Sequence, residues 1–465
     1  MIFSSLVFIF KFLPITLLIY YLSPKSLRNF VLLLASLVFY GWGEPVYISI
    51  MIFSTVFDYF NGLLIHKYRE HKAIPKLVLI NSMVVNLGIL FFFKYYNFMV
   101  LNINNLLGVS ISTSPLPLPV GISFYTFQTM SYVIDIYLKT APIQKNIISF
   151  GAYVAMFPQL VAGPIVKYGD IHKQLNERKE SLQKFGEGTE IFIIGLCKKV
   201  LLANNIGLLW TNVKGTSFTE LSTISAWLGI IAFTFQIYFD FSGYSDMAIG
   251  LGKMLGFDLD INFNYPYISK SITEFWRRWH ISLGSWFREY VYIPLGGNRL
   301  GKYKHLRNLF LVWFLTGFWH GASWNFVLWG LYFGTILVLE KYFILKWLQS
   351  KPKFISHIYA ILLIIIGWVI FDFDKLANIS SFLSIMFGVR VPFFDYKSLY
   401  YLYTNGLLII CLIIFSTPLQ KKIMNKIKES SLKHVLVPII YVALLFICTA
   451  YLVNESYNPF LYFRF

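Results

Sequence analysis

The sequence predicts an all-α, polytopic membrane fold, on three observations. Apolar residues make up 57% of its 465 residues and charged residues only 13%, with a mean hydropathy of +0.62; a soluble domain is nearer 45–50% apolar and about 25% charged. Apolar runs follow one another at lengths suited to a bilayer, whose hydrocarbon core takes a helix of about 20 residues. Lysine and arginine collect in the short loops between those runs, as they do where charge sets membrane orientation. The net charge of +18 would suggest nucleic acid in a soluble chain. Here its partners are expected to be anionic lipid headgroups, with no nucleic acid. Part of the 19% aromatic content suits the headgroup zone.

The runs, in order, are Ile2–Tyr21, Asn29–Tyr40, Val46–Ile65, Leu77–Val100, Val120–Leu138, Ile191–Leu209, Ile224–Gly250, Leu309–Leu339, Ile358–Ile370, Leu399–Phe415 and Val435–Val453. They predict about eleven crossings. The first, broken by Lys11 and Pro14, lacks the ordered parts of a signal peptide and reads as an uncleaved segment. Lys25 and Arg28 follow the first run, Lys67, Arg69, Lys72 and Lys76 the third, and Lys139 and Lys145 the fifth. The loops Gly41–Glu44 and Leu101–Pro119 carry neither Lys nor Arg. This alternation predicts an external N-terminus and cytoplasmic basic loops.

The middle of the chain is less regular. Ile147–Val161 is broken by Pro158 and followed by Gly163–Pro164, with basic residues on both sides. It is expected to enter the membrane and return. Ser271–Leu295, which mixes Trp and Arg with apolar residues, is a second such segment. Non-helical backbone at membrane depth survives only when buried in protein or lining a cavity. Leu309–Leu339 is too long for one upright helix and is expected to tilt, to break at Gly317 or Gly321, or to form two pieces.

Of the eight histidines, His66, His71, His172 and His305 lie in basic loops and His357 and His434 at run edges, so all six read as solvated or interfacial. His320 lies deep in LTGFWHGASWNF and His280 in ITEFWRRWHISLGSWFREY. Ionisable groups inside a membrane are functional candidates by default. A neutral imidazole can take a proton from a hydroxyl near pH 7; the plain alternative is a core histidine bonded to a carbonyl. Gly317 and Gly321 would let a substrate or another helix come close. In a helix, Trp276 and His280 would share a face. Asp240 and Asp246 need partners, and Arg277, Arg278 and Arg288 are available. The basic cluster Arg299, Lys302, Lys304 and Arg307 would face the cytoplasm and meet lipid phosphates or those of a nucleotide-containing acyl donor, lipid being the simpler reading. Cys197, Cys411 and Cys448 have no metal spacing and read as small buried hydrophobes. No metal site is expected, because H-E-x-x-H and Cys/His pairs are absent. Phosphate-loop and G-x-S-x-G signatures are also absent.

Five stretches in order resemble the membrane-bound O-acyltransferase family, in the bacterial branch that acylates alginate, peptidoglycan and teichoic acid. They are PLPVGISFYTFQTMSYVID at 117–135, FPQLVAGPI at 157–165, FDFSGYSDMAIG at 239–250, FWRRWHISLGSWFREYVYIPLGGNR at 275–299 and LTGFWHGASWNFVLWG at 315–330. The C-terminal PFLYFRF fits the same pattern. The resemblance implies one membrane domain over residues 1–465, its catalytic motifs at about 117–330, with re-entrant segments around a central tunnel. It implies His320 as the catalytic base and His280 as the second motif histidine. Trp276, Trp279, Trp319, Asn325, Tyr125, Gln128, Asp246 and Arg288 are then expected along the substrate path. The implied reaction moves acetyl groups from acetyl-CoA, a substrate and not a resident cofactor, toward a surface polysaccharide, with an extracytoplasmic SGNH-like acetyltransferase as partner. The implied location is the bacterial inner membrane. The alternative is a secondary transporter or flippase of a surface-glycan precursor, a class that often shows internal repeats; none is visible here.

Overall fold

The computed structural model describes residues 1–113, 116–161, 163–454 and 458; PFLYFRF and Ala162 of FPQLVAGPI lie outside them. The described residues are built of helices and their connections. Among the described residues eight helices are long and apolar enough to cross a membrane: Ile48–Lys67, Ile74–Leu107, Leu182–Gly215, Thr223–Met254, Trp324–Gln349, Lys353–Asp372, Tyr396–Phe415 and Lys433–Asn454. The expected eleven therefore includes three runs that do not reach the length. Ile2–Tyr21 becomes a π-helical turn, Phe8–Phe12, leading into Leu13–Leu22 with Pro14 in its first turn. Asn29–Tyr40 becomes the 14-residue helix Arg28–Gly41, and Val120–Leu138 the 16-residue helix Ile122–Tyr137. In Ile122–Tyr137 every residue except Ile134 and Tyr137 is buried. Apolarity reports burial, and burial in protein gives the same signal as burial in lipid.

The chain divides into two compact units, Met1–Phe192 with Met247–Asp260, and Ile193–Asp246 with Ile261–Phe465. The first is organised around Ile122–Tyr137. That helix starts at Gly121, whose φ of +75° suits glycine and where a Cβ would lie 2.6 Å from the Leu160 carbonyl oxygen. A polar knot ties its neighbours together. The buried Asp58 carboxylate accepts from Ser82 Oγ (2.6 Å), Asn86 Nδ2 (2.7 Å) and Asn61 Nδ2 (3.3 Å), and Thr129 Oγ1 donates to Asn86 Oδ1 (3.4 Å). Such bonds offset the cost of placing polar groups away from water. Ile147–Val161 folds as two short buried helices, Ile147–Ala155 and Phe157–Leu160, neither long enough to cross. Ile74–Leu107, by contrast, has only 17% of its apolar window buried in protein, leaving Leu77, Val84 and Leu106 for lipid.

In the second unit a π-helical stretch, Lys198–Ala203, leads into Asn204–Gly215. An aromatic core forms around Trp210, Phe233, Trp329, Phe333 and Trp368. The run at 309–339 does break at Gly321, into Lys302–His320 and Trp324–Leu339. Both glycines serve helix packing: a Cβ would lie 2.2 Å from the Phe326 carbonyl oxygen at Gly317 and 2.3 Å from the Phe326 ring at Gly321. Cys197 and Cys448, remote in sequence, bring their thiol sulfurs to 3.5 Å as free cysteines. His305 is not solvated as expected. It is buried, with Nδ1 at 2.8 Å from the Tyr342 hydroxyl and Nε2 accepting from Lys341 Nζ (3.1 Å).

Candidate active site

The segment carrying His280 is a helix interrupted at one residue. Ser271 caps Ile272–Arg278 by accepting from Glu274 N (3.0 Å), and Glu340, fully buried, accepts from the amides of Ile272 (2.6 Å) and Thr273 (2.8 Å). Trp279 is then extended, and His280 takes a left-handed conformation at φ +46°, ψ +53° before Ile281–Phe287 begins. A non-glycine residue there is uncommon and costs about 1–3 kcal/mol unless its surroundings over-determine it. Here Asn262 does so. Its carbonyl accepts Ile281 N (3.0 Å), and its Oδ1 accepts Ser282 N (3.1 Å) and Ser282 Oγ (3.0 Å). The helix ends at Arg278, so Trp276 and His280 do not share a helical face as expected. The break nevertheless turns both toward one cavity of about 190 Å³, lined also by Trp279, Leu283, Arg288 and Trp313.

The His280 imidazole is 2% exposed, and neither ring nitrogen has a hydrogen-bond partner among the described residues. Its neighbours are rings: Phe241 at 4.8 Å edge-on and Trp319 at 6.2 Å between centroids. His320 is the last residue of Lys302–His320 and is buried among Trp319 (5.1 Å), Trp329 (5.1 Å) and Phe371 (5.4 Å). One indole, that of Trp319, therefore neighbours both imidazoles. Asn325 fastens the wall behind His320, its Nδ2 donating to the carbonyls of Ile370 (3.3 Å) and Phe371 (2.9 Å). Trp276 packs on Trp313 (4.8 Å) and Phe333 (5.0 Å), and Trp279 on Trp368 (4.9 Å).

Of the residues expected along a substrate path, Trp276, Trp279, Trp319, Asn325 and Arg288 thus lie at or beside the two histidines. Tyr125 and Gln128 belong to the first unit, fully buried in Ile122–Tyr137. Asp246 and Asp240 find lysines as partners, a pairing the sequence left open: Lys198 Nζ meets Asp246 at 2.6 Å, and Lys199 Nζ meets Asp240 at 2.6 Å. Arg278 instead pairs with Glu274. Lys198 and Lys199 are the functional candidates that sequence reasoning missed. The signal was their position opposite the FDFSGYSD motif, which only the fold supplies. Phe241, which packs on His280, directly follows the ion-paired Asp240. Among the described residues no three His, Cys, Asp or Glu side chains converge as metal ligands.

A family model described as MBOAT, the membrane-bound O-acyltransferase family, matches residues 143–383. The "Probable alginate O-acetylase AlgI" of Azotobacter vinelandii is 45% identical over 381 residues, 81% of this chain and 76% of the relative. The protein of the same name from Pseudomonas putida is 38% identical over 496 aligned positions, covering all of both chains. The peptidoglycan O-acetyltransferase of Helicobacter pylori is 36% identical over 424 positions, 84% of this chain and 80% of the relative.

Proposed function

Because this chain belongs to the membrane-bound O-acyltransferase family, as an O-acyltransferase and multi-pass membrane protein, we propose that it acetylates hydroxyl groups bound for a cell-surface polysaccharide. Alginate and peptidoglycan, the polymers named for its relatives, are the candidate acceptors. The donor in this reading is acetyl-CoA at the cytoplasmic face of a bacterial inner membrane, and an extracytoplasmic acetyltransferase completes delivery. His320 takes the proton of the acceptor hydroxyl as its oxygen attacks the thioester carbonyl. The C–S bond breaks, the C–O bond forms, and the proton passes to the leaving thiolate. His280 positions or relays.

The observation that carries this reading is the burial of two imidazoles around one indole. Low-dielectric surroundings strengthen charge stabilisation as the thioester is attacked. The test is His320→Ala, assayed by O-acetyl content of the surface polymer with insertion checked separately. A loss of about 10²–10⁴-fold is expected for a general base. Full acetylation by an inserted variant would remove His320 from the mechanism.

A further inference from the structure

The first unit contains a second, chemically different cavity, of about 490 Å³. Its lining includes Lys25, Arg28, Arg178 and a single carboxylate, Glu180. Glu180 Oε1 meets Arg28 Nη1 at 2.8 Å, accepts from the Tyr20 hydroxyl (3.0 Å) and lies 3.7 Å from Arg178 Nε. Burial alone would raise its pKa, but the hydrogen bonds from Arg28 and Tyr20 outweigh burial and hold the carboxyl below its ordinary value. One carboxylate thus faces more than one cation, and the cavity keeps an excess of positive charge.

The cations are held in the wall of this space. Arg178 is fixed by Asn29 Oδ1 (2.7 Å), the Leu175 carbonyl (2.8 Å) and the Tyr20 hydroxyl (2.9 Å). Arg28 Nε is buried without a hydrogen-bond partner among the described residues, and no ion pair involves Lys25 among them. The first turn of Arg28–Gly41 also borders the cavity, its Arg28 N–H donating to the Lys25 carbonyl. Arginine forks favour phosphate oxygens.

We propose that this cavity binds a phosphate group, with Lys25, Arg28 and Arg178 as its cationic ligands. The group can come from the headgroup of an anionic phospholipid or from a soluble phosphate. The inference is independent of the acyl-transfer reading, since none of these residues touches either histidine. Basic pockets beside membrane helices take lipid phosphates in this way, at about 1 kcal/mol per cation, which converts to about fivefold in affinity.

The test uses the full chain in nanodiscs and in detergent. Native mass spectrometry compares retention of phosphatidylglycerol with phosphatidylcholine, and thermal unfolding is followed against inorganic phosphate and against chloride at equal ionic strength. Preferential retention of phosphatidylglycerol that phosphate does not displace assigns the headgroup. Displacement and stabilisation by phosphate assign the soluble source. Lys25 is exposed, so Lys25→Gln should fold normally and weaken binding about fivefold, whereas Lys72→Gln, in another basic loop, should leave it unchanged. Equal retention by wild type and Lys25→Gln, or chloride matching phosphate with no lipid preference, overturns the proposal.

Discussion

His280 occupies the left-handed region, where asparagine is among the few side chains tolerated. His280→Asn should therefore keep the break between Ile272–Arg278 and Ile281–Phe287 while removing the imidazole. If His280 positions the reacting groups, kcat should fall by up to about 10²-fold with KM and thermal stability little changed. A variant with full kcat would assign the residue to packing alone. Gly317 makes a different demand. The Phe326 carbonyl oxygen lies 2.2 Å from where its Cβ would stand, and it is backbone that cannot rotate aside. Gly317→Ala should cost about 1–3 kcal/mol by overpacking. Gly88→Ala, with nothing within 4 Å of the added methyl, should be neutral or stabilise by up to about 1 kcal/mol; a comparison of melting temperatures in detergent checks both. The roles of single residues were legible to unequal degrees. His280 and His320 stand out because histidine is costly at membrane depth. Lys198 and Lys199 did not, because their aspartates lie more than forty positions away and no local spacing encodes that pairing.

At the scale of elements, the breaks were more legible than the crossings. Glycine and proline mark where a helix must stop, so a break at Gly317 or Gly321 was among the options the sequence left open, and 147–161 was expected not to cross; the division falls at Gly321, and the latter forms two short helices. Which apolar helices meet lipid did not follow, as Ile122–Tyr137 shows. The connection between Tyr168–Glu177 and Leu182–Cys197 yields a prediction about pH. Glu180 there is held below its ordinary carboxyl pKa by Arg28 and Tyr20 against the opposing pull of burial. A group depressed in the folded state stabilises fully above its unfolded value, and that stability is lost as pH falls through the folded one. Wild type should thus exceed Glu180→Gln in melting temperature at pH 7, and the gap should close below the ordinary glutamate range near pH 4.5. A gap that persists unchanged at pH 3 would assign the difference to shape instead of charge.

The whole molecule was legible as a class and not as an arrangement. Composition alone identified a lipid-embedded helical chain, and the exposed apolar faces of Ile74–Leu107, Tyr396–Phe415 and Lys433–Asn454 carry that surplus. The gathering of His280, His320 and Trp319 into one aromatic neighbourhood came from the resemblance and the fold, since no periodicity joins residues 280 and 320. One structural detail also limits how the chain length can vary. Lys198–Ala203 is wound as a π-helix, which holds more residues per turn than the 3.6 of an α-helix. Deleting one residue here, for example Leu202, would let the stretch relax to ordinary winding, and the tighter turn would take up the lost residue, so Asn204–Gly215 would keep nearly its present facing. Lys198 and Lys199 at the start of the stretch, and Lys214 with Trp210 after it, all hold carboxylates on other helices, and both sets can stay engaged. Removal of Leu208, from ordinary α-winding, would instead turn Trp210 and Lys214 by about 100° against Lys198 and Lys199. Removal of Leu202 should leave monodisperse protein in size-exclusion chromatography, while removal of Leu208 should abolish it. Within this chain, the π-wound stretch is where heredity can revise the count as well as the letters.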